Sequence, residues 1–453
     1  MTKQTKTVDL LNGSISKGII QFCIPIFMGQ LLQQLYNAAD AWILGNFADN
    51  NSFAAVSSGG SISFLIIGFL SGLGTGGSIV VSRYFGSGDR DNLDKAIHSN
   101  ILFGIICSVI ATIIGLLGNE PILHIMNTPK EVLPYSIVYF RIIFGGVVTT
   151  VMYNCCMSVM RALGDSYHPL LYLLFSSVLN IGLDYLLVAG FGMGVAGAAI
   201  ATVFSQGVSA VCCLVHMCCF YDEFRLVPAR IFRWHRSILY QIMRNGVPMG
   251  IQNSVISIGN MVVQTNINAF GPYAMAGMGA YSKVEGFVFI PIMSISMAMP
   301  TYISQNLGAK KYDRARKGAR FGTIVGVILA EVTGFIFIAF DKPILRFFVD
   351  SDEIVRYGVM HLHVVAFFYC LLAYSHITAG IMRGCGKSIV PMVTMLGFWC
   401  VVRITYVTCA IRLVPKFTTI SWCYPLTWSC STIVFTIWLL TSDWTHAFEK
   451  NGV

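Results

Sequence analysis

Residues 161–169 read RALGDSYHP, and residues 383–391 read RGCGKSIVP. Arg, Gly, Ser and Pro recur in register across a spacing of 222 positions. The same spacing relates EPILHIMN (120–127) to KPILRFFV (342–349), Gly86 to Gly308 and Gln30 to Gln252. A chain that repeats itself near half its length is built from two copies of one unit, and the organisation of that unit sets the fold.

The unit is a set of membrane spans. Hydrophobic residues make up 55% of the 453 positions and charged residues 11%, and apolar runs of about twenty residues recur from end to end, the pattern of a polytopic α-helical membrane protein. Six spans are expected in the first half, near 18–46, 53–82, 97–118, 135–160, 167–189 and 195–219. Six more follow near 240–269, 275–304, 319–340, 355–382, 389–412 and 418–441. Each is long enough to cross a hydrocarbon core of about 30 Å at about 1.5 Å per residue. The even number returns the chain to its starting side, so the second six-helix bundle repeats the first in the same orientation, about a pseudo-twofold along the membrane normal. The expected organisation is a first lobe over 1–219, a linker over 220–239, a second lobe over 240–441 and a tail over 442–453.

Basic residues orient these spans. The N-terminus, the 83–96 loop (Arg83, Arg90, Lys95), the linker (Arg225, Arg230, Arg233, Arg236) and the 305–320 loop (Lys310, Lys311, Arg314, Arg316, Lys317, Arg320) fall on one side, while the 47–52, 190–194 and 270–274 loops have no Lys or Arg. The positive-inside rule makes the first side cytoplasmic, with both termini and the linker inside a plasma membrane. The formal charge of +9 is accounted for by this bias, so no nucleic-acid partner is expected. Residues 1–17 lack the pattern of a removable signal peptide. Most of the 14 cysteines fall within spans, where they read as small apolar residues, and neither a disulfide nor a metal cluster is expected from their spacing. The glycine-rich SGLGTGGS (71–78) sits in a span with no strand before it, which suits close helix packing better than phosphate binding.

Against this background the stretch LLQQLYNAADAWILG (31–45) places a carboxylate, Asp40, about two turns below the outer end of the first span. A second membrane acid, Asp184 in LLFSSVLNIGLDYLLV (173–188), lies at similar depth in the fifth span. Asn180 is four residues earlier, on the same helical face. Thr202 reaches that depth in the sixth span. An aspartate at a helix centre costs about 2.5–3.5 kcal/mol to insert, so each needs a partner or a role. Helix ends and neighbouring hydroxyls could satisfy the two separately. If they share one site they repel each other, and a proton or a bound cation relieves that repulsion. Carboxylate, amide and hydroxyl oxygens are also the hard ligands that Na⁺ prefers. At the repeat spacing these positions become Val262 or Val263, Val402, Tyr406 and Tyr424, so the acidic constellation belongs to the first bundle alone.

PIFMGQLLQQLYNAAD (25–40), GSGDRDNLDKA (86–96), RALGDSYHP and LNIGLDYLLV (179–188), set in two six-span repeats, resemble the multidrug and toxic compound extrusion (MATE) family along essentially the whole chain, most closely its DinF-like prokaryotic branch. The resemblance implies export of organic, often cationic, compounds in exchange for Na⁺ or H⁺ by alternating access. It makes Asp40, Asn180, Asp184 and Thr202 the coupling-ion site and puts Pro25 where the first helix bends. It implies no cofactor beyond the coupling ion, no catalysis, and small-molecule cargo handled by a monomer in the lipid bilayer. Some relatives carry an acid in the seventh span; here that span has neutral groups such as Gln252 and Asn260. Asn37, Glu331, Gln252 and Asn260 are candidate cavity residues. Two other readings stand beside the antiporter. A flippase for lipid-linked oligosaccharides would need extra spans and a basic cleft to hold pyrophosphate. A membrane aspartyl protease also uses two membrane aspartates, but Gly182-Leu183-Asp184 is not the GxGD pattern.

Overall fold

In hydrocarbon every backbone N–H and C=O must be satisfied within its own segment, which leaves the helix as the solution for an apolar run of this length. The computed structural model describes residues 7–125, 128–221 and 224–449. Lys3 and Lys6, Met126 and Asn127 of the EPILHIMN motif, and the last residues of the tail therefore lie outside the described residues.

Six membrane-length helical stretches occur in each half, with no strand among the described residues. In the first half they are α1 (Ile15–Phe47), α2 (Asn50–Ser87), α3 (Arg90–Ile125), the pair α4 (Leu133–Gly145) and α5 (Val147–Ala162), α6 (Tyr167–Asp184) continued by a π turn (Tyr185–Gly190), and α7 (Gly194–Cys219). A short α8 (Pro228–Ile231) lies in the linker. In the second half they are α9 (Arg236–Asn268), α10 (Pro272–Gly308), α11 (Tyr312–Ala339) with the short α12 (Asp341–Arg346) after it, and α13 (Asp352–Val365) joined through a 3-10 turn to α14 (Tyr369–Gly384). The last two are α15 (Ile389–Met395), a π turn (Leu396–Val402) and α16 (Arg403–Leu413), then α17 (Phe417–Ser421) with α18 (Cys423–Thr441). Nine of these stretches are individually long and apolar enough to cross a membrane, and the α4–α5 pair, bent by 44°, adds a tenth. α9 has ample length, but Gln252, Asn253, Asn260 and Gln264 dilute its apolar character. On α3, Val109, Ile110, Ile113, Ile114 and Leu117 are all exposed. Their spacing makes one continuous apolar stripe, which lipid rather than water would cover.

The duplication is written in the backbone. Gly164 and Gly386 both adopt left-handed geometry (φ 89° and 71°) after the fourth stretch of their halves. The same turn closes around each: Asp165 N–H donates to the Met160 carbonyl at 2.9 Å, and Lys387 N–H to the Met382 carbonyl at 3.0 Å. Gly88 and Lys310, again 222 apart, are both left-handed (φ 72° and 55°). Only in the first copy is that position the residue type suited to it.

Contacts divide the chain into two compact units, one comprising residues up to Asp9 with Ile24–Gly250 and the other Leu10–Cys23 with Ile251–Val453. The division falls inside two helices, α1 and α9, and outside the 220–239 linker. In each case a proline, Pro25 or Pro248, lies within three residues of the change. Proline removes one i to i−4 hydrogen bond and weakens the helix there. Within the first unit, α2 meets the start of α9 at glycines: a Cβ on Gly76 would lie 2.3 Å from the Gly246 Cα, and one on Gly72 would lie 2.4 Å from the Gly250 nitrogen. SGLGTGGS thus serves close backbone approach. Within the second unit, Arg314 ties down the chain before α1, donating to the carbonyls of Leu10 (3.1 Å), Asn12 (2.8 Å) and Gly13 (2.7 Å).

Candidate cation site

Asn180 and Asp184 occupy the last turns of α6, four residues apart, and both are fully buried. Asp40 projects from α1 and Thr202 from α7, each half-buried. The Asn180 amide joins them. Oriented to satisfy its surroundings, its nitrogen donates to Asp40 Oδ1 at 2.9 Å and to Asp184 Oδ2 at 3.2 Å, while its oxygen accepts from the Thr202 backbone N–H at 3.3 Å. The four residues singled out by depth therefore meet in one place within the first unit.

The two carboxyls lie close to each other, and Tyr36 stands beside Asp40 and Thr202. Asp184 Oδ1 is buried with no hydrogen-bond donor. Among the described residues, no Lys, Arg or His forms an ion pair with either acid. Two carboxylates, one shared amide donor and one orphaned oxygen leave a deficit of positive charge, and a proton or a small cation bound to oxygen removes it. The donor set thus fits Na⁺ or H⁺ and gives no purchase to a softer metal, since neither a thiolate nor an imidazole is part of it.

A small polar cavity abuts the pair, lined by Gln33, Tyr36, Ser177, Asn180, Thr202 and Gln206 among others. Gln206 Oε1 and the Ser205 hydroxyl face it without partners. Tyr36, Gln33 and Gln206 are not among the residues expected from the sequence, although their spacing carries a signal: Tyr36 is one turn before Asp40, and Gln206 one turn after Thr202. The candidate cavity residue Asn37 is exposed. Immediately after Asp184 the chain widens into the π turn Tyr185–Gly190, a local irregularity that sequence periodicity does not reveal.

The second unit has a different polar centre. Arg403 is buried, donating from Nη1 to Asn260 Oδ1 and from Nη2 to Thr427 Oγ1, both at 3.0 Å, and its guanidinium lies over the Tyr424 ring at 4.7 Å and the Trp399 ring at 5.5 Å. Tyr424 stands at the repeat position of Thr202. Where the first unit gathers acids, the second gathers a cation and aromatic faces. The π turn of this half, Leu396–Val402, precedes Arg403, so the two copies break helical regularity at different places. Gln252 is buried with its nitrogen 2.9 Å from Met395 Sδ and its oxygen unpartnered. Glu331 accepts from the Cys370 N–H at 3.0 Å, in the first turn of α14, and so satisfies a donor left free by the break between α13 and α14. Glu285 accepts from Tyr281 at 3.0 Å, whereas Lys283 is exposed and rests over Phe348.

Comparison with known proteins shows the family to which the chain belongs. The chain is 28% identical over 398 residues to a protein named probable multidrug resistance protein YpnP from Bacillus subtilis, covering 87% of this chain and 88% of that one. Two solved structures share its fold at 22% identity. One is described as MATE in the bent conformation (TM-score 0.91, covering 100% of both chains). The other is described as MATE in the straight conformation (TM-score 0.89, covering 96% of this chain and 98% of that one). The MatE family model matches twice, over residues 25–186 and 248–407, one match to each copy of the repeat that RALGDSYHP and RGCGKSIVP first disclosed. The chain is a multi-pass membrane protein and belongs to the multidrug and toxic compound extrusion family of transporters.

Proposed function

We propose that this protein is a secondary active antiporter that exports organic, often cationic, compounds in exchange for Na⁺ or H⁺ by alternating access, with the coupling ion held by Asp40, Asn180, Asp184 and Thr202. The observation that carries this reading is the pair of carboxyls sharing the Asn180 amide, with Asp184 Oδ1 buried and unpartnered and no basic side chain paired to either acid among the described residues. An empty site keeps two negative groups in repulsion or borrows a proton. An ion from outside neutralises them, and because it binds the two conformations unequally it shifts the balance between them. Pro25 supports a bend in α1, since the helix changes unit one residue before it. The cargo is moved without covalent chemistry, and a single chain suffices.

The test is dye efflux from proteoliposomes under an imposed Na⁺ gradient and, separately, a pH gradient. Uphill movement under at least one gradient is the expected result. Movement that only ever follows the dye's own gradient would overturn antiport.

We also propose that the termini and the 220–239 linker face the cytoplasm of a plasma membrane, on the strength of the Lys and Arg distribution. A cysteine placed in the 190–194 loop of a cysteine-depleted variant should react with an impermeant thiol reagent on intact cells. Labelling only after permeabilisation would invert the topology.

A further inference from the structure

At the other end of α6 from Asp184, roughly 25 Å away at about 1.5 Å per residue, a second polar cluster has no part in the site described above. Asp165 sits in the loop between α5 and α6, wholly buried, in the turn that left-handed Gly164 makes. Its Oδ1 accepts from the His168 backbone N–H at 3.1 Å, and its Oδ2 accepts from His168 Nδ1 at 2.7 Å and the Tyr221 hydroxyl at 2.8 Å. His216, near the end of α7, brings Nε2 to 3.9 Å from the same oxygen, too far for a hydrogen bond. That nitrogen is buried and has no partner. The other ring nitrogen of His216 meets the Tyr172 hydroxyl at 2.7 Å, and the two histidine rings are 4.4 Å apart.

A histidine this deep normally has both nitrogens satisfied. If Tyr172 accepts from Nδ1–H, the lone pair of Nε2 points at Asp165 with nothing to receive it. Asp165, His168 and His216 each offer a ligand atom, all within 4.8 Å of one another. Ligand atoms about 2.0–2.1 Å from a tetrahedral Zn²⁺ are about 3.3 Å apart. The observed separations of 2.7 Å and 3.9 Å from Asp165 straddle that value, so small side-chain rotations would admit the ion. The surroundings also have the form of a metal's outer shell, a hydroxyl on the far nitrogen of one imidazole and another on the carboxylate.

We propose that Asp165, His168 and His216 form a binding site for a borderline divalent transition metal of the Zn²⁺ type, oriented by Tyr172 and Tyr221. Binding replaces the proton on His168 Nδ1, which is released to solvent. The metal ties the start of α6 to the end of α7, the two helices whose opposite ends carry Asp184 and Thr202, and so braces them against relative motion.

The experiment titrates purified full-length transporter with Zn²⁺ against a competing chelator and records zinc X-ray absorption. The expected result is one tightly held Zn²⁺ per chain with a nitrogen and oxygen shell near about 2.0–2.1 Å. His216→Gln and His168→Asn should each abolish stoichiometric binding, and Tyr172→Phe should weaken it by about 10–100-fold. His168 is partly exposed, so its variant remains informative if His216→Gln does not fold. Absence of stoichiometric zinc from the parent, unchanged affinity in His168→Asn, or a sulfur shell at about 2.3 Å, which would move the ion to the cysteines of α7, would each overturn the assignment.

Discussion

Asp184→Asn should reconstitute at normal abundance yet move no dye uphill under either an inward Na⁺ gradient or an inward proton gradient. A hundredfold ion gradient stores about 2.7 kcal/mol per ion, enough to sustain up to about a hundredfold opposing cargo gradient at one-for-one exchange. A carrier that has lost its coupling ligand holds that ratio near one. The amide keeps the size of the side chain and can bond to Asn180 and Asp40, so folding should survive, but it offers Na⁺ one neutral oxygen in place of a carboxylate and cannot take up the coupling proton. The matched control is Tyr406→Phe. Tyr406 lies at the repeat position of Asp184, on α16, and is half-buried. Its loss should leave the gradient dependence intact. Equal losses in the two variants would place the coupling site in the second unit, beside Arg403.

The contrast between these two positions is legible in the amino-acid sequence itself. Span count follows from composition, the two-copy organisation from RALGDSYHP and its repeat, and the convergence of Asp40, Asn180, Asp184 and Thr202 from depth along the helices together with i, i+4 spacing. Those features are local or periodic, which is the kind of information a single sequence holds. What escapes it depends on rotation about a helix axis or on distant pairs. Tyr36 and Asn37 are adjacent and each about one turn from Asp40, yet the former is half-buried and lines the cavity beside the acid while the latter is exposed. Glu331 reads equally as a structural or a cavity group, and its carboxylate accepts from the Cys370 N–H at a helix break that no periodicity announces. The Asp165 cluster brings together residues 51 positions apart, from Asp165 to His216, and neither His168 nor His216 stands out along the chain. Apolar character runs through α1 without a break, so Pro25 is the one mark the sequence carries beside the change of unit within that helix.

Asp40→Asn tests the remaining half of the mechanism, the link between the ion and α1. Asp40 sits about four turns beyond Pro25 on that helix, and it faces Asp184 across Asn180. Removing its charge relieves the repulsion permanently, so the variant resembles an ion-loaded carrier whatever the gradient. Two outcomes follow from that sign. The purified variant should unfold at the same temperature as the parent or higher, because a destabilising like-charge pair is gone. Added Na⁺ or lowered pH should no longer raise that temperature, because the ligand that stabilises the parent by mass action has lost half its site. In vesicles, uphill efflux should collapse toward a ratio of one while downhill exchange of dye persists. Pro25→Ala separates ion binding from its consequence: it restores the missing backbone donor and stiffens α1, so it should keep the Na⁺ or proton stabilisation of the parent and still transport more slowly. If Asp40→Asn pumps dye uphill like the parent, or if its stability still responds to the coupling ion as the parent's does, then Asp40 is a buried polar residue of the helix packing and the ion acts elsewhere.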